Sequence, residues 1–104
     1  MYSTNMKKAI RINKQDNVAT ALNEFVPGDI AQVIDSDGTV SQIYVREAIP
    51  FGHKFAIDEI NSGAVVIKYG EIIGMATGNI IRGYHVHTHN VVSQRGKSGG
   101  NSNV

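Results

Sequence analysis

The segment "GYHVHTHNVV", residues 83–92, carries His85, His87 and His89 at every second position, three of the four histidines in the chain. Imidazole is a common metal ligand and the side chain whose proton moves near neutral pH, so the row points to metal binding or to acid–base chemistry. On a strand these residues share one face, with neighbours roughly 6.5 to 7 Å apart. Two of them at i and i+2 can reach one divalent ion where the strand bends or ends. Three on a straight strand span too far for nitrogens that must each lie about 2.0 to 2.1 Å from the ion. The same alternation is also what a half-buried strand shows, with the histidines in solvent and Tyr84, Val86 and Val91 facing the core. Spacing alone leaves both readings open.

The fourth histidine, His53, lies in "FGHKFA" beside Lys54. An ammonium there can hold a substrate carboxylate while His53 moves a proton. By the residues alone the plainer reading, a surface glycine loop with a solvated lysine, is preferred. "KYGE", Lys68 to Glu71, carries the same ambiguity, and "DNVATAL" can bind through Asn17 and Thr20. The acids nearest the histidine row in sequence are Glu71, Glu59 and Asp58, and only a fold can bring one close.

The elements that must position these residues read as mainly β with one or two short helices. "KKAIRIN" alternates Ile10 and Ile12 with charge, the period of a half-buried strand. In "DNVATALNEF", Asp16 can cap a short helix that presents Val18, Ala21, Leu22 and Phe25 on one face, ended by Pro27-Gly28. "DIAQVID" and "VSQIYVREAI" flank the turn "DSDG" and predict a hairpin. "FGHKFAIDEINSG" reads as a loop and a helical turn closed by Gly63. From Ala64 to Val92, Gly70, Gly74, Gly78 and Gly83 interrupt short apolar pieces. Each would cost a helix about 1 kcal/mol relative to alanine, so short, sharply bent strands are expected there.

The bulk properties bound the function classes. With 104 residues, 41% of them apolar and 18% charged, the chain suits one globular domain with a modest core. Residues 1–6 read as a loose start, 7–92 as the folded domain and 93–104 as a flexible polar tail. Ten basic residues against nine acidic ones, spread without a block, argue against nucleic acid. The absence of cysteine excludes disulfides, thiolate metal sites and cysteine nucleophiles. No signal-like stretch and no run of roughly 20 apolar residues is found, so no membrane partner is expected and the cytoplasm is the default location.

Taken together, "DNVATAL", "GHKFA", "VIKYGEIIG" and "HVHTHN", in this order and at these separations, resemble the N-terminal SAF-type domain of the altronate and galactarate dehydratase family. They also resemble the free-standing small subunit of the related sulfolactate sulfo-lyase. The likeness covers about Lys7 to Val92; each motif alone is weak, and four in register are fairly specific. It implies a compact single-domain β-clip (SAF-like) fold and a role in removing water, or sulfite, from a 2-hydroxy or sugar acid. A divalent metal is implied as cofactor, iron (Fe2+) first and Mn2+ second. The family pattern of a glycine, two or three variable residues and His-x-His-Asn falls on His87, His89 and Asn90, which leaves His85 at a variable position, while His53 and Lys54 match Gly-His-Lys. The resemblance therefore implies His87, His89 and His53 as catalytic residues, His87 and His89 as metal ligands, and Lys54 and Asn90 as substrate-binding residues.

Members of the family usually carry a much larger catalytic region after this domain, whereas this sequence ends in a polar tail. The expected partner is therefore a separate large, dehydratase-like catalytic subunit, without which the chain is inactive; self-association into a homo-oligomer is left open. Elimination from such an acid needs a base for a weakly acidic carbon proton, a cation beside the developing charge and help for the leaving group. Two alternatives stand beside this reading: a β-clip module that binds a metal or carbohydrate without catalysis, and a lid or oligomerisation element in which the histidines are incidental.

Overall fold

The computed structural model describes residues 6–93. Apart from Met6 and Ser93, the expected loose start and polar tail lie outside the described residues. Within them the regular structure is nine short strands: β1 (Lys7–Arg11), β2 (Val18–Ala21), β3 (Ile30–Asp35), β4 (Val40–Tyr44), β5 (Lys54–Ala56), β6 (Val65–Lys68), β7 (Glu71–Ala76), β8 (His85–Val86) and β9 (Val91–Val92). Six form one sheet in the order β4-β3-β1-β2-β5-β8, and the other three form a second sheet, β6-β7-β9. β1 and β3 are parallel and every other pair is antiparallel. The mainly β expectation holds, as does the β3–β4 hairpin around "DSDG".

The short helices do not form among the described residues, and the reason is burial on both faces. β2 and β5 lie inside the six-stranded sheet and are covered on each side. Ala19, Ala21 and Phe55 join Phe25, Val33, Val45 and Ile49 in one core. Val18 and Ala56, the alternate residues, join Ile60, Val66, Ile80 and Val86 in a second. A strand buried twice loses its period-2 signature, so "VATA" lies in a run whose apolar spacing imitates a helix. Leu22, which the helical pattern places on the buried face, is 43% exposed. "FGHKFAIDEINSG" likewise supplies β5 and an isolated bridge, Ile60 to Ile80, instead of a helical turn. In β1 the fully buried residue is Ala9, while Ile12 is exposed.

Asp16 is therefore no helix cap. Its carboxylate, almost wholly buried, accepts from the backbone N–H of Asn13 at 3.1 Å and of Gly70 at 2.8 Å. Gly70 and Tyr69, both at positive φ (77° and 58°), form the two-residue turn between β6 and β7. "KYGE" is thus a hairpin tip. Beside it, the Asn17 amide donates to the Val65 carbonyl at 3.0 Å and accepts from Ile67 N–H at 2.8 Å. The two sheets are joined through these side chains. No helix of the described residues is long and apolar enough to cross a membrane.

Candidate functional site

The site forms where β5 meets β8. Their register pairs Lys54 with Val86 and Phe55 with His85. Continued by one residue, that register sets His53 opposite His87. Side chains directly opposite on an antiparallel pair share a face, and the rings of His53 and His87 stack with centroids 4.5 Å apart. His53 Nδ1 and His85 Nε2 lie 2.8 Å apart, close enough for one ring to donate its proton to the other. His85 and His87 lie nearly parallel, 8° between planes and 5.4 Å between centroids, closer than a straight strand allows.

The shortening has a local cause. β8 ends at Val86, and residues 87–90 turn, with Asn90 N–H donating to the His87 carbonyl at 3.1 Å. The Asn90 side chain fixes the turn: its amide donates to the His85 carbonyl at 2.9 Å, and its oxygen accepts from His87 N–H at 3.0 Å. Asn90 thus holds the backbone of the two histidines. His89, on this turn, is not part of the convergent set that His53, His85 and His87 form. Its ring stands 5.3 Å from that of His85 at 39° and is exposed.

One ligand nitrogen each from His53, His85 and His87 converge within 4.8 Å of one another. Two nitrogens on one ion at 2.0 to 2.1 Å lie about 3.0 to 3.4 Å apart, so the set fits a single divalent ion after shifts on the order of 1 Å. His87 Nδ1 is buried and has no hydrogen-bond partner among the described residues, a state that costs energy unless something binds there. Of the expected metal pair, His87 belongs to this set and His89 lies outside it. His85, which the motif leaves at a variable position, belongs to it, and His53 lies nearest both of the others.

The electrostatics favour the neutral form of His85 and His87. Burial, and then the neighbouring His53, His89, His87 and Lys54, push His85 down to about 4. Burial, followed by His53, Lys54 and His89, lowers His87 as well. Neutral imidazole is the ligating form. Lys54 is 5% exposed, and its ammonium has no ion pair or hydrogen bond among the described residues. Burial and then the like charge of Lys68 lower it to about 8.

One residue of the site was not among those expected from the sequence. Glu47, in the segment after β4, accepts from the His85 N–H at 2.9 Å and lines a cleft of about 390 Å³ with Tyr84, His89 and Asn90. Thirty-eight residues separate Glu47 from His85, and no spacing rule reaches that far. Asp58, Glu59 and Glu71, the acids nearest in sequence, are exposed instead.

A family model described as the altronate/galactarate dehydratase SAF domain matches residues 7–94. The chain belongs to that family. The SAF domain is 44% identical over 81 residues to altronate dehydratase of Escherichia coli (strain K12), covering 78% of this chain and 15% of that enzyme. To the (2R)-sulfolactate sulfo-lyase subunit alpha of Paracoccus pantotrophus it is 41% identical over 63 residues, 61% of this chain and 94% of that subunit. To the same subunit of Chromohalobacter salexigens it is 46% identical over 63 residues, 61% and 66% of the two chains. The SAF domain thus corresponds to a small part of one relative and to most of another. Its two short, curled sheets are the β-clip that the resemblance implies.

Proposed function

We propose that this SAF domain is the small subunit of a two-chain, metal-dependent lyase that removes water, or sulfite, from a 2-hydroxy or sugar acid. The observation that carries the reading is the convergence of three imidazoles, one of which, His87, has a buried nitrogen without a partner among the described residues. His53, His85 and His87 would hold the ion, with His89 left outside. Imidazole donors suit iron, whereas manganese prefers oxygen, and the set contains no carboxylate. A divalent ion there supplies Lewis acidity toward the leaving group and toward charge developing beside the substrate carboxylate.

The chain's own groups divide the remaining work. Lys54, set opposite Val86 on the other face of β5 from His53 and without a counter-charge among the described residues, would attract a carboxylate to that edge of the sheet. His89, exposed and outside the set, would carry a proton to or from the reacting carbon or the leaving group. Asn90 keeps His85 and His87 at their spacing. The relatives' proportions support a separate large, dehydratase-like chain as the source of what is missing.

The test is activity and bound metal of the chain alone, and of the chain mixed with its candidate large subunit, under anaerobic conditions with added iron, on sugar acids and sulfolactate. Turnover is expected only in the mixture. His87→Ala should lower it at least about a hundredfold and leave the melting temperature of this domain within about 5 °C. Undiminished turnover by the His87→Ala mixture would sink the assignment.

A further inference from the structure

The cleft beside the histidines contains groups for which the reading above has no use. Glu47 spends Oε1 on the His85 N–H, and Oε2 has no partner among the described residues. Asn79 spends its side-chain oxygen on the Ser62 N–H at 2.7 Å, which leaves its amide N–H groups to donate. The Tyr84 hydroxyl has no partner among the described residues either, and Ile81 adds an exposed apolar wall. One charged acceptor, an amide donor and a phenol along an apolar wall match a chain of vicinal hydroxyls, each of which both donates and accepts, with C–H groups between them.

Charge fixes the orientation. Among the described residues, Glu47 is the only carboxylate lining this cleft. A ligand carboxylate is repelled there, so the hydroxyl-bearing end of a polyhydroxy acid is the part that faces Glu47. We infer that Glu47 is a specificity-determining residue: its free oxygen accepts hydrogen bonds from the hydroxyls that a polyhydroxy acid carries beyond its second carbon. The inference rests on the lyase reading for the place of the carboxylate, but it concerns recognition alone.

The backbone holds Glu47 in place for this. Arg46 N–H donates to the Gly83 carbonyl at 2.9 Å, and a Cβ on Gly83, at φ 94°, would run into the Tyr44 carbonyl oxygen. The segment carrying Glu47 is thus pressed against the start of the histidine row.

The experiment is calorimetric and NMR titration of the full chain with two monoanions, D-gluconate and L-lactate, which share the carboxylate and 2-hydroxyl and differ in the distal hydroxyls. Gluconate should bind about tenfold more tightly and shift the amide signals of Glu47, Asn79 and Tyr84. In Glu47→Gln, which can still accept from His85 N–H, the preference should fall to about twofold with the fold intact. In Glu47→Ala both the preference and the position of the His85 amide signal should change. Equal affinity for the two anions, or a preference unchanged in Glu47→Gln, would overturn the inference. Failure of the lyase reading appears separately, as no turnover in the two-chain mixture, and leaves the affinity ratio standing.

Discussion

Lys54 shows at the scale of one residue how stability and function oppose each other here. An ammonium mostly withdrawn from water, with no partner among the described residues, destabilises the fold, and the same burial lowers its pKa to about 8. Methionine has similar length and no charge. Lys54→Met should therefore raise stability at pH 7 by about 1 to 3 kcal/mol while abolishing carboxylate-dependent activity. Denaturant melts of the two proteins check this, and a destabilised variant would mean that the ammonium has a compensating partner. Lys54 and His53 were legible as a motif, but their burial was not: "GHKFA" resembles an exposed loop as much as a strand.

At the scale of elements, joining the two sheets depends on polar side chains that serve as extra backbone. Asn17 occupies two hydrogen-bonding positions on β6, and Asp16 holds the tip of the next hairpin. Asn17→Ala leaves the Val65 carbonyl and Ile67 N–H unpaired at that edge, which should cost about 2 kcal/mol. Hydrogen exchange reads the outcome: protection should fall in β6 and β7 and persist in β1 and β3. Uniform loss across both sheets would show one cooperative unit instead. Strands with one wet face, such as β4, were legible from period and turn residues. β2 was not, because a strand buried on both faces has no period to read.

For the whole molecule, the half-buried His85 and His87, both lowered, predict an acid-sensitive domain. Folded, His85 titrates near 4, against an ordinary 6.5. Between those values the unfolded chain binds more protons, so stability rises with pH across the window and is lost as pH falls from about 6.5 toward 4. His87 is displaced in the same direction. The melting temperature of the metal-free chain should drop over that range, and His85→Gln should flatten the drop. An unaltered slope in His85→Gln would assign the acid sensitivity to other groups.

What the sequence by itself determined is local and additive: the β character of the glycine-broken half, the β3–β4 turn, the His-x-His spacing and, through four motifs in register, the family. These survive without a fold because each depends on residues within a few positions of one another. The tertiary structure decided which histidines meet. His53 reaches His85 and His87 through the register of β5 on β8, His89 stands outside their convergent nitrogens, and Glu47 arrives from 38 residues away. Registers and turns of this kind are set by which apolar faces can be buried together, a property of the packed whole that no single segment carries.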